Sequence, residues 1–77
     1  MANTAFNYEI VEHIATLSEN GSTTKELNRV AYNGSPAKYD LRSWKREDGE
    51  AKLLKGLTIT DEEATALKEA LNSRADI

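Results

Sequence analysis

Three dipeptides constrain this chain more than anything else in it: Asn20-Gly21, Asn33-Gly34 and Asp48-Gly49. Each supplies the positive φ angles that a tight hairpin turn needs, and each lies between stretches of strand-like length. They cut the chain ahead of Thr60 into four segments, for which an antiparallel meander of four strands is the simplest arrangement.

The first segment, Phe6 to Ser18, is ambiguous by itself. Phe6, Ile10, Ile14 and Leu17 follow helical spacing, while Phe6, Tyr8, Ile10 and Ile14 share one parity, as a strand with one buried face requires. The turn dipeptides tilt the reading toward a strand. Lys25 to Tyr32 reads as the second strand, although Leu27 and Val30 differ in parity, which a bulge or a twist would reconcile. Pro36 lies in the connection that follows, where a missing amide proton does no harm.

The stretch Lys38 to Thr60 carries the functional signal. In its first arm Tyr39, Leu41 and Ser43 point one way, and Lys38, Asp40, Arg42 and Trp44 the other. The second row is largely cationic and ends in the sole tryptophan, a combination that offers phosphates a charge and an unpaired base a flat surface. The second arm, Lys52 to Ile59, contains Gly56, which weakens a strand but permits a close backbone approach. A helix is then predicted from Asp61 to about Ser73. Thr60 is its N-cap, Glu63 completes a capping box, Asp61 and Glu62 suit the positive end of the dipole, and Ala64, Leu67, Ala70 and Leu71 form a thin apolar stripe.

A chain of 77 residues makes one domain at most, and a partner subunit would help it bury apolar surface. The absence of cysteine removes a disulfide framework and a Cys-based zinc site, and fits a reducing cytoplasm. The start MANTAFNYEI has neither the basic residues nor the apolar run of a signal peptide or membrane span. The net charge of −3 argues against nucleic acid until its distribution is seen. Residues 25–55 hold eight Lys or Arg against five Asp or Glu, while residues 1–24 hold three Glu and no Lys or Arg. The basic part is central.

The segment YDLRSWKREDGEAKLLKGLTITDEEATALKEAL resembles the single-stranded-DNA-binding domain of the positive-cofactor-four transcriptional coactivators, and the whole chain resembles their small bacterial YdbC-like relatives. The resemblance rests on Asp40-Leu41-Arg42 followed by an aromatic, on Lys55-Gly56 leading into an Ile-Thr strand end, on the acidic helix start, and on KELNRVAYNG at residues 25–34. It covers roughly residues 6–73. It implies an α+β fold, a curved four-stranded antiparallel sheet followed by one helix (β-β-β-β-α), paired as a homodimer through helices and sheet edges. It further implies single-stranded DNA lying along grooves, with bases on aromatic rings and phosphates near Lys and Arg. By position Arg42, Tyr32 and Lys55 match family residues, and Trp44 falls within one place of a stacking aromatic. The second turn is longer here, which leaves the register of Lys25 to Tyr32 open.

The candidate contacts are therefore Lys25, Asn28, Arg29, Tyr32, Lys38, Arg42, Trp44 and Lys55. Lys25 and Arg29 share one parity and Asn28 and Tyr32 the other, so either pair can form the solvent row. Lys55 gains weight from Gly56, beside which a phosphate could approach the backbone. Lys45 and Arg46 read more simply as a solvated turn. Asp40 reads as a residue that orients Arg42 or Lys38. His13, alone among acidic neighbours, reads as a surface strand residue, because no further ligands stand at metal-binding spacing. No nucleophile with a general base, phosphate loop or paired-carboxylate site is visible, and no cofactor or catalytic residue is expected. The reading is a non-enzymatic, dimeric binder of single-stranded DNA with little sequence preference, in the bacterial cytoplasm or at the nucleoid, RNA strands being an alternative ligand. The competing reading is a protein-interaction module that docks a partner through Arg42 and Trp44.

Overall fold

The computed structural model describes residues 7–77, so the expectation for Phe6 lies outside the described residues. Four strands, β1 (Tyr8–Asn20), β2 (Thr23–Tyr32), β3 (Lys38–Glu47) and β4 (Glu50–Ile59), precede one helix, α1 (Asp61–Asn72). They form a single antiparallel sheet in the order β1-β2-β3-β4. The turn chemistry explains the meander: Asn33, Gly34, Asp48 and Gly49 all have positive φ, and Asp48-Gly49 joins the paired residues Glu47 and Glu50 directly.

The ambiguous first segment is a strand of unusual construction. Its thirteen residues run against the ten of β2, and the register shifts between Ile10 and Glu12, His13 and Ala15, and Thr16 and Ser18. Val11, Ile14 and Leu17 are thus the extra residues of three successive bulges. Where β2 advances two residues β1 advances three, a period between those of a strand and a helix. This is why the apolar spacing pointed both ways. The bulge considered for β2 does not occur there. Its pairing with β3 is continuous, and Leu27 and Val30 serve opposite faces.

Directly opposed residues share a face, so the register sorts the sheet into two sides. The inner side carries Tyr8 and His13 of β1, Thr24, Glu26, Asn28, Val30 and Tyr32 of β2, Lys38, Asp40, Arg42, Trp44 and Arg46 of β3, and Leu53, Gly56 and Thr58 of β4. Helix α1 lies on the other side, where Ala64, Leu67 and Leu71 meet Leu27, Tyr39 and Ile59 around an open cavity of about 690 Å³. Yet it is the inner side, which no helix covers, that is most buried. Val30, Trp44, Asn28 and Asp40 have no exposed surface and Glu26 almost none. The sheet closes over them by curling. The Tyr8 hydroxyl of β1 donates to the Ala51 carbonyl of β4 at 2.9 Å, and its ring lies 5.7 Å from that of Trp44.

Gly56 makes this curl possible. A Cβ there would lie 1.8 Å from Arg42 Cβ and 2.5 Å from the Leu41 carbonyl oxygen, so only glycine allows β4 to cross β3 this closely. What approaches its open side is the β3 backbone. The helix follows its sequence signals closely. Glu63 N donates to Thr60 Oγ1 at 3.0 Å and Thr60 N to Glu63 Oε1 at 2.8 Å, completing the capping box, with Ser73 as C-cap.

Candidate nucleic-acid interface

The inner-side row expected to face a ligand is occupied by its own neighbours. Arg42 donates to Asp40 through Nε at 2.6 Å and Nη2 at 2.8 Å, and to the Leu54 carbonyl through Nη1 at 3.0 Å. Asp40 also accepts from the Tyr32 hydroxyl at 2.7 Å and the Thr58 hydroxyl at 3.0 Å. Such a bidentate pair is tolerated in the interior because four donors converge on the carboxylate, one at Oδ1 and three at Oδ2. The Arg42 guanidinium is held above its ordinary pKa by this bond to Asp40. Tyr32 is pushed up to about 12, by burial first and then by donating to Asp40. Asp40 thus orients Arg42, as the sequence suggested, and consumes it.

A second network repeats the plan toward the other end. Arg46 donates to Glu26 through Nε at 2.9 Å and Nη2 at 2.7 Å, while Thr24 and Asn28 donate to the same carboxylate. The Arg46 bond is the main cause that lowers Glu26 from 4.5 to about 2, against the opposing effect of burial. His13 Nδ1 lies 2.6 Å from Asn28 Oδ1 and its Nε2 3.2 Å from Thr16 Oγ1. Because Asn28 spends its amide N–H on Glu26, its oxygen accepts and His13 carries the proton on Nδ1. Among the described residues no grouping of three His, Cys, Asp or Glu side chains is placed to hold a metal.

Trp44 closes this interior, and the expectation that its indole lies open to a base is corrected. It is fully buried against Tyr8, between Thr24 and Leu53 in register. Its Nε1 has no hydrogen-bond partner among the described residues. Parity placed Trp44 correctly in the row of Arg42. What parity could not show is that the row is the inside of the curl.

Of the other candidates, Asn28 is buried in the Glu26 network and Tyr32 is half-buried with its ring 5.7 Å below the Arg42 guanidinium. Arg29 lies on the helix side. Its guanidinium sits 4.8 Å from the Tyr39 ring centroid, donates to the Ala37 carbonyl at 3.0 Å and comes within 3.8 Å of Asp61, tying the loop after β2 to the helix start. Lys25, Lys38 and Lys55 are exposed and, among the described residues, have no ion pair.

A cluster of cations emerges on the side away from the networks. Lys45 stands directly opposite Lys52, and Lys25 stands opposite Ser43, which makes Lys25 the diagonal neighbour of Lys45. Among the described residues their one counter-charge within ion-pair distance is Glu47, 3.8 Å from Lys45. An extra residue in β4 places Leu54 and Lys55 together against Ser43, so the alternation that would confine Lys52 and Lys55 to opposite faces is broken. Lys52 and Lys45 were passed over in the sequence because their cross-strand contact depends on the register of the Asp48-Gly49 hairpin. That two-residue turn was the available clue.

A protein of Treponema pallidum (strain Nichols), named "Uncharacterized protein", is 39% identical over 74 residues, covering 95% of this chain and 85% of its own length. The family model for Transcriptional Coactivator p15 (PC4) matches residues 19–70, from the end of β1 through most of the helix. The strand order, the single C-terminal helix and this match agree, and the chain belongs to the Transcriptional Coactivator p15 (PC4) family, a non-enzymatic, nucleic-acid-binding family whose general function is single-stranded-DNA binding of the coactivator type.

Proposed function

We propose that this chain binds single-stranded DNA as a homodimer, with little sequence preference, by neutralising phosphates with lysines on the outer side of the sheet. The observation that carries this reading is the direct opposition of Lys45 and Lys52 across β3 and β4, with Lys25 diagonal to Lys45 and Glu47 the carboxylate within ion-pair distance among the described residues. Like charges directly opposed across strands cost stability unless an anion stands between them. A polyphosphate strand is such an anion, and its affinity must then fall as salt rises. Lys55 extends the positive surface, and Lys38, exposed at the start of β3, adds a cation on the inner side. Tyr32, half-buried at the end of β2, is the candidate aromatic on which a base stacks. Arg42, Asn28 and Trp44 support the curl that presents these groups, and Arg29 fixes the helix start.

The homodimer reading is supported by exposed leucines. Among the described residues Val30 and Trp44 are the fully buried apolar ones, whereas Leu57 on β4 and Leu67 and Leu71, which line the cavity under α1, are each about half exposed. A second copy packed against α1 over this cavity would supply the burial a chain of this size lacks, the Lys45–Lys52 pair lying toward the Asp48-Gly49 hairpin end of the sheet. The competing reading, a module docking protein through Arg42 and Trp44, loses its anchors to the interior. RNA strands should bind as well, since phosphate neutralisation does not read the sugar. The cytoplasm, at the nucleoid, is the proposed place of action.

The test is fluorescence anisotropy of labelled oligo-dT of roughly twenty nucleotides, compared with a duplex of equal length at two salt concentrations. Binding of the single strand that weakens with salt, with weaker binding of the duplex, supports the reading. Absence of binding at low salt, or equal affinity for the duplex, overturns it.

A further inference from the structure

The lysines are not the sole unusual surface. Strand β1 is a sheet edge, and its three bulges recur at a strict interval, so Val11, Ile14 and Leu17 occupy equivalent places against β2. Equivalent places share an orientation, which aligns the three side chains in a row spanning roughly 13 Å, four residues of a strand at about 3.3 Å each. All three are exposed, at 55%, 40% and 55%. A single exposed leucine means little, but a contiguous apolar row rimmed by polar groups marks a contact surface. The rim is acidic. Glu9, Glu12 and Glu19 are exposed, none is in an ion pair among the described residues, and β1 contains no Lys or Arg.

We infer that β1 is a docking surface for a basic, apolar-anchored polypeptide segment of a partner protein. Charge selects the occupant: the glutamates repel a phosphate backbone and an anionic lipid surface, and they repel the same strand of a second copy. The bulges decide how the partner attaches. By breaking the backbone ladder at every third residue they deny a partner strand continuous pairing, so side chains must seat on the row of Val11, Ile14 and Leu17. The surface is separate from the lysine cluster on β2, β3 and β4, which leaves the nucleic-acid site free while the partner is bound.

The test titrates the full ¹⁵N-labelled chain with a short synthetic peptide alternating leucine with lysine, and with a control alternating leucine with glutamate. The lysine peptide should shift amides of Glu9 to Glu19, and oligo-dT should not displace it. Ile14→Ser with Leu17→Ser should weaken it by about tenfold or more, the scale of two lost anchors. Glu9→Gln, Glu12→Gln and Glu19→Gln together, which keep the apolar row, should remove its salt dependence. Unshifted β1 amides, or equal binding of the glutamate peptide, would overturn the inference. So would a smaller sedimentation mass for the serine variant, because a second copy would then be the occupant.

Discussion

On the inner side of the sheet each arginine has a carboxylate of its own, Asp40 for Arg42 and Glu26 for Arg46. On the outer side Lys45 stands opposite Lys52 and diagonal to Lys25, and among the described residues the one ion pair there, Lys45 to Glu47, is a loose 3.8 Å contact. The two sides use cations for different ends. Arginine's planar fork matches a carboxylate in two bonds and holds a fixed geometry, which suits the interior of a curled sheet. Lysine is a mobile, hydrated point charge, which suits a backbone of phosphates with no fixed sequence. The comparison teaches that local basic density does not locate a binding surface until the carboxylates paired with it are counted.

The largest expected effect is on the inner side. Asp40→Ala strands Arg42, Tyr32 and Thr58 without their shared acceptor, and loss of one partner from a buried pair costs about 3–5 kcal/mol in urea unfolding. A loss below about 1 kcal/mol would mean that Arg42 turns to water, and the two sides would no longer differ in kind.

Acid should dismantle the second network. Glu26 titrates at about 2 when folded and at the ordinary 4.5 when unfolded, so its contribution is complete above 4.5 and is lost as pH falls from there to about 2. The loss amounts to about 3 kcal/mol, and Arg46→Gln should remove most of this pH dependence because Arg46 is its leading cause. Gly56→Ala should cost about 1–3 kcal/mol by forcing β4 away from Arg42, read as a lower melting temperature. Thr60→Ala, which removes only an exposed helix cap, should cost about 1 kcal/mol, read in urea unfolding.

The order of elements was legible because each turn and the helix cap depend on a few adjacent residues. Asn33-Gly34, Asp48-Gly49 and Thr60 with Glu63 act locally, and the structure uses each as its chemistry dictates. The alternation of β3 was legible too. What eluded the sequence was curvature, which arises where distant segments meet: Gly56 against Arg42, and Tyr8 against Ala51. Curvature turned the row of Arg42 and Trp44 from an outside into an inside. The period of three in β1 looked half helical for a related reason, since bulges exist only relative to a partner strand.

The most direct test of the contrast is the slope of log affinity against log salt for oligo-dT. It is compared between the unaltered chain, a Lys25→Gln/Lys52→Gln/Lys55→Gln variant and Arg46→Gln. Each lost phosphate contact lowers the slope by about 0.7 on single strands, so the lysine variant should lose about 2 units while keeping its stability, and Arg46→Gln should lose stability while keeping its slope. The reverse pattern, with the slope intact after removal of the lysines and reduced after removal of Arg46, would place the phosphates on the inner side and contradict the account.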